Sequence, residues 1–262
     1  MRYGICTGIE NTRLVESLGY DYIELSVTKT MGLDPETYAA HKKVLEESSI
    51  SAECFNILFP KTMNLVDGST SPETLAEYLE RAMAMVHDLH GKIVVFGSGK
   101  CRTCPPGMPY GDACRNLINA CRLTGEIAGR YGIQVVIEPL SRKETNMICT
   151  MAEGALLRYA VNSPHVGLLS DYFHVCANND AVSDIASIRE FGHIHIASGR
   201  GRRYPLPQDG EDYGALFRVL KTAGYEGRMS IEGKTEDLEK DGAAALAYLK
   251  QLEEQTELCL TK

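Results

Sequence analysis

Four short stretches of this chain end in side chains able to bind a metal ion or to move a proton. Val135-Val136-Ile137-Glu138 stops at Pro139, and Val166-Gly167-Leu168-Leu169-Ser170 ends in Asp171. His193-Ile194-His195-Ile196 carries two imidazoles on one face, and Met229-Ser230-Ile231 ends in Glu232. A carboxylate buried alone is costly. Three of them beside an imidazole become stable together once a divalent cation neutralises their charge. Glu138, Asp171, His195 and Glu232 are therefore the expected ligands of one divalent ion. Three carboxylates and one imidazole make a hard, oxygen-rich set, best suited to Mn²⁺ and open also to Mg²⁺, Co²⁺ or Zn²⁺. Four protein ligands leave an octahedral ion two open positions, enough to chelate a hydroxy-ketone.

Each of the four stretches reads as a buried strand, a short β-branched run bounded by a breaker. Four similar runs precede them: Arg2–Cys6, Asp21–Ser26 with Glu24 near its end, Ile50–Ile57 with Asn56 near its end, and Lys92–Phe96. Helical patterns alternate with the strands. They are expected at Ile9–Leu18, Asp34–Ser48, Ser71–His90, Asp112–Tyr131, Thr150–Val161, Asp180–Glu190, Glu211–Ala223 and Asp237–Thr256. Asp34-Pro35 and Ser71-Pro72 are helix starts, an N-cap followed by a proline at the first helical position. Eight strand–helix units in 262 residues average about 33 residues each, close to the ~30 that one such unit needs. This alternation predicts an α/β fold, a single-domain (β/α)₈ TIM barrel over residues 1–262. Ligands at the C-terminal ends of four successive strands would then converge in the barrel mouth. The Lys100–Tyr110 segment, rich in Pro, Gly and Cys, reads as an excursion over that mouth.

Bulk composition excludes several classes. A net charge of −8 and a pI of about 5.4 argue against a nucleic-acid partner, which needs clustered Lys and Arg. No run approaches ~18 apolar residues, so no membrane span is expected. Met1–Cys6 has no apolar leader segment, and nine scattered cysteines read as reduced thiols in the cytoplasm. Cys101-Arg102-Thr103-Cys104 has the spacing of half a zinc site but no second ligand pair, so it reads as structural. No G-x-G-x-x-G follows the first strand, which disfavours a dinucleotide fold.

The chain resembles the xylose-isomerase-like barrels, and within them the ketose 3-epimerases of the tagatose/allulose type. Glu138-Pro139-Leu140-Ser141-Arg142-Lys143-Glu144 is similar to that family's Glu-Pro-Leu-Asn-Arg-x-Glu. Asp171-Tyr172-Phe173-His174, Gly192-His193-Ile194-His195 and Ser230-Ile231-Glu232 are similar to its later strand ends. In the first half the resemblance rests on Glu24 and on Val94-Val95-Phe96-Gly97-Ser98-Gly99. It implies a metal-dependent isomerase or epimerase acting on a ketose or keto-sugar derivative through a metal-stabilised enediolate. Glu138 and Glu232 would be catalytic, exchanging the proton, while Glu144, His174 and His193 would contact substrate. It also implies a homo-oligomer, a dimer or tetramer. The chain departs from the family after its seventh strand, where Ser198-Gly199-Arg200-Gly201-Arg202-Arg203 replaces Glu and Asn-Arg. Arg200 or Arg202 would there clamp a carboxylate, a phosphate or several hydroxyls. A lyase of the same superfamily, acting on an inosose or a 3-keto sugar, is the alternative.

Overall fold

The strands are short runs that bury both faces: β1 (Arg2–Cys6), β2 (Tyr22–Ser26), β3 (Ser51–Asn56), β4 (Ile93–Phe96), β5 (Gln134–Ile137), β6 (Val166–Asp171), β7 (Phe191–Ile196) and β8 (Arg228–Ile231). In the computed structural model, which describes residues 1–188 and 191–260, each strand pairs in parallel with its sequence neighbour, and β1 also pairs with β8. The sheet therefore closes, and the expected (β/α)₈ barrel is the observed fold.

Strand side chains alternate between two faces. One set, including Ile23, Phe55, Val94, Ile137 and Ile231, joins the core shared with the helices. The other set fills the barrel: Tyr22, Cys54, Ile93, Val95, Val136 and Leu169 form a separate apolar cluster. Tyr22 and Ser230 share a hydrogen bond across it at 2.8 Å. Two residues further along each strand, the same inward parity yields Glu24, Asn56, Gly97, Glu138, Asp171, His195 and Glu232. The polar constellation at the mouth is thus the top layer of the barrel filling.

The helices are α1 (Thr12–Ser17), α2 (Val27–Met31), α3 (Pro35–Glu46), α4 (Pro72–Asp88), α5 (Tyr110–Arg130), α6 (Met151–Val161), α7 (Tyr172–Ala177), α8 (Tyr213–Thr222) and α9 (Leu238–Leu260). Asp34 and Ser71 cap α3 and α4 through Thr37 N and Thr74 N, with Pro35 and Pro72 following them. Two helices depart from expectation. α2 is a β-branched run of low helix propensity, and Ser26 starts it by accepting from Lys29 N. The helix expected over Asp180–Glu190 is instead a 3₁₀ stretch, Val182–Ser187, and residues 189–190 lie outside the described residues. The true α-helix of that unit is α7, which begins directly after Asp171 because the Asp171 side chain accepts from Phe173 N at 2.9 Å. Among the described residues no helix is long and apolar enough to cross a membrane.

Candidate metal centre and active site

Glu138, Asp171, His195 and Glu232 each offer one ligand atom within 4.8 Å of the other three. The strand ends of β5, β6, β7 and β8 bring them together, with Asp171 and His195 in register. His195 is fully buried and its Nε2 lies 2.9 Å from Glu24 Oε1. A carboxylate there requires that Nε2 carry a proton, so Nδ1 is the nitrogen that faces the acids and presents a lone pair once the ring is neutral. Nδ1 sits 3.4 Å from Glu138 Oε1 and 3.2 Å from Glu232 Oε2. A carboxylate behind a ligating imidazole fixes its tautomer and raises its basicity.

Three buried atoms converge here without a hydrogen-bond partner: His195 Nδ1, Glu138 Oε1 and His174 Nε2. Buried polar atoms are normally satisfied. The donor set, with His195 Nδ1 and Glu138 Oε1 open, fits a divalent cation held by Glu138, Asp171, His195 and Glu232. The electrostatics reflect this crowding of buried acids. Burial raises the Glu138 carboxyl, with Glu232 adding to the effect and His195 opposing it. Burial pushes Asp171 up to about 6 against the pull of Arg202. At Glu232 burial disfavours charge too, but His195 and Arg202 outweigh it and hold the carboxyl down at about 2. At His195 burial opposes charge, and Glu24 with Glu232 overcomes it, so the ring's pKa is pushed well up.

A second sphere holds these groups. Asn56 Nδ2 donates to Glu232 Oε1 at 2.9 Å. Gly97, at the end of β4, lies against Glu138, and a Cβ there would overlap Glu138 Oε2. Arg102 is fully buried and donates to the carbonyls of Phe96 (2.9 Å) and Glu138, with Ile148 O at 3.5 Å. It ties the ends of β4 and β5 together. This gives the CxxC segment its structural content: Cys101 and Cys104 are buried free thiols flanking that arginine. Sequence patterning alone did not single out Arg102, because its partners are backbone carbonyls.

The other expected site residues divide. His174 accepts from Ser141 N at Nδ1 (3.0 Å), so its proton sits on Nε2, 3.5 Å from Asp171 Oδ2. Burial lowers its pKa, which makes it a neutral donor facing the cavity. Glu144 lines the same cavity, 3.8 Å from both His174 Nδ1 and Arg202 Nη1. The register of the arginines is now fixed. Arg200 is exposed and outside the cavity lining, whereas Arg202 reaches Glu232 Oε2 and Asp171 Oδ2 (3.3 Å) and stacks 4.8 Å above the Phe173 ring. Its backbone is left-handed (φ 53°), held by Ser198 O and Lys234 N. His193, expected among the substrate contacts, lies one layer below the acids, bonded to Arg228 O (3.1 Å) and Glu24 Oε2 (2.8 Å). Glu24 was visible as a strand-end acid; its place between two imidazoles was not.

The cavity over this floor has a volume of about 410 Å³, within the range of small-molecule sites. Ile57, Phe59 and Leu140 form its apolar wall.

Residues 12–252 match the model of the xylose isomerase-like TIM barrel family. An L-ribulose 3-epimerase of Methylomonas sp. (strain DH-1) is 28% identical over 229 residues, covering 84% of this chain and 76% of the relative. A 3-dehydro-D-guloside 4-epimerase of Escherichia coli (strain K12) is 29% identical over 184 residues, 66% of this chain and 69% of the relative. Among solved structures, one of an L-ribulose 3-epimerase superposes with a TM-score of 0.86 at 19% identity, covering 99% of this chain and 97% of that one. Apo 3-keto-D-glucoside 4-epimerase from E. coli superposes with a TM-score of 0.80 at 22% identity, over 96% and 99%. With its closed eight-stranded barrel and a family match spanning nearly its whole length, this chain belongs to the xylose isomerase-like TIM barrel family.

Proposed function

We propose that this chain is a divalent-metal-dependent epimerase of a ketose or keto-sugar derivative. The observation that carries the reading is the cluster of Glu138, Asp171, His195 and Glu232, with buried atoms open toward one point. The relatives named as 3- and 4-epimerases of sugars support it. An ion held by these four groups, with Mn²⁺ the best match to the donors, would supply Lewis-acid polarisation of a sugar carbonyl.

The residues then divide the work. Glu138 and Glu232 both line the cavity and come from strands separated by two others, so they face a bound sugar from different sides. One glutamate removes the proton from the carbon next to the carbonyl, and the other returns a proton to the opposite face. The planar carbon between these steps has lost its configuration. His174 Nε2–H, Glu144 and Arg202 hold hydroxyls and keep the sugar from turning over between the two transfers. Arg202 also offsets the charge of Asp171 and Glu232.

The test is proton NMR of keto sugars incubated in D₂O with the Mn²⁺-loaded protein or with EDTA. Deuterium entry next to the carbonyl, with formation of the epimer, is expected only with metal. Glu232→Gln should reduce it by about 10³-fold, within the usual range for a general base. Formation of an unsaturated product instead would move the assignment to elimination. EDTA-insensitive exchange would refute the metal-dependent mechanism.

A further inference from the structure

The charge around the cavity runs against the charge of the chain. The protein carries a net charge of −8, yet Lys61, Lys100 and Lys143 all line the mouth above the acidic floor. They come from the loops that follow β3, β4 and β5, so they gather on one side of the opening. Three lysines away from the mouth pair with carboxylates, Lys42 with Asp88, Lys43 with Glu47 and Lys221 with Glu257. Among the described residues no acid lies within 4.0 Å of the ammonium groups of Lys61, Lys100 or Lys143. The one cavity acid outside the floor, Glu144, is already beside Arg202.

Resting on the epimerase reading, we propose that the keto sugar taken by this cavity carries an anionic group, a phosphate ester or a carboxylate, seated on Lys61, Lys100 and Lys143. The floor needs no help from them. Arg202 reaches two of its three carboxylates, and a divalent ion held there would balance the rest of their charge. Three like charges around one opening repel, and a neutral sugar offers only hydroxyls, which offset none of that repulsion. An anion offsets it and gains charge-assisted hydrogen bonds. A cleft lined by one sign of charge also concentrates the oppositely charged substrate and speeds its arrival. Lysines are rotatable point charges on flexible stems, suited to a terminal anionic group that moves with the rest of the sugar. The bland alternative, three solvated surface lysines, predicts no preference between charged and neutral sugars.

The experiment compares three sugars that differ only at C6: D-fructose, D-fructose 6-phosphate and D-fructuronate. Calorimetric titration of the Mn²⁺-loaded protein at low ionic strength reads affinity without turnover, and deuterium exchange is followed in parallel. At least one anionic sugar should bind about tenfold or more tightly than D-fructose, a preference that added salt weakens. Preference for the phosphate or for the uronate identifies the group. In the triple variant Lys61→Gln, Lys100→Gln, Lys143→Gln, whose altered positions are all exposed, the preference should collapse to within about twofold. Equal affinities, binding of none of the three, or a preference that survives the triple substitution would overturn the proposal. Anion preference without exchange counts against the epimerase reading alone, and metal-dependent exchange without anion preference counts against the anionic seat alone.

Discussion

Glu24→Gln separates what Glu24 does for the fold from what it does for the metal. Glu24 is fully buried, with Oε2 at 2.8 Å from His193 Nε2 and Oε1 at 2.9 Å from His195 Nε2. His193 Nδ1 faces the Arg228 carbonyl, which can only accept, so that nitrogen carries a proton. A glutamine fits this arrangement without an orphan. Its amide N–H₂ donates to an unprotonated His193 Nε2, and its carbonyl oxygen accepts from His195 Nε2–H. The metal-free fold keeps these hydrogen bonds but loses the charge that helps hold the His195 ring protonated, so it should lose about 1.5–3 kcal/mol, the range for a hydrogen bond to a charged group. What is lost is the negative charge behind His195, which supports its basicity toward a cation. Outer-sphere changes of this kind typically weaken metal affinity by about 10–100-fold, or about 1.4–2.7 kcal/mol. Glu24→Ala is the contrast: it strands two buried imidazoles and should cost about 3 kcal/mol of stability or more. Mn²⁺ titration reads affinity, and urea denaturation of the EDTA-treated protein reads stability. A glutamine variant that binds Mn²⁺ as tightly as the native chain would refute the argument. So would one destabilised as severely as the alanine variant.

Metal binding should expel protons, because Asp171 is pushed up to about 6 by burial and Glu138 and His195 are also raised in the metal-free site. Apparent Mn²⁺ affinity should rise as pH climbs from about 5 to 8, and titrations in buffers of different ionisation enthalpy would show the release; a flat profile would count against these groups as ligands. Arg102→Lys should lose about 3 kcal/mol in urea denaturation, since an ammonium cannot span the carbonyls of Phe96, Glu138 and Ile148 that the guanidinium reaches. Ile57 holds φ at 49° although β-branched, and is 44% exposed at the cavity wall. Ile57→Asn should raise stability by about 1 kcal/mol in the same assay, and no gain would mean that side-chain packing offsets the backbone strain.

The barrel and the clustering of Glu138, Asp171, His195 and Glu232 at its mouth were legible for the same reason. Val135–Ile137 and Met229–Ile231 are apolar, β-branched or otherwise strand-compatible runs, and each delivers its acid with the period of two that the barrel interior requires. Asp34-Pro35 and Ser71-Pro72 announced their helices through local chemistry. The missed parts depend on contacts between distant residues. α7 exists because Asp171 turns back to cap it, a second use for a residue already read as a ligand. His193 and His195 have identical parity, and only the vertical order of the barrel layers, with Glu24 between them, separates the ring beside the three acids from the ring below it. Arg202 was chosen over Arg200 by a left-handed turn pinned to Lys234, which no local pattern encodes.

The split of the barrel mouth between two sets of loops bears on how such a chain can change its diet. All four cation-competent side chains hang from β5 to β8. Ile57, Phe59, Lys61 and Lys100, which line the wall and rim of the cavity, follow β3 and β4. A lineage can therefore rewrite the short segments after those two strands, altering charge and width there, while the reacting half keeps its parts and spacing. The constraint on such rewriting is Gly97, whose missing side chain makes room for Glu138. Variation should run freely on either side of that position and stop there.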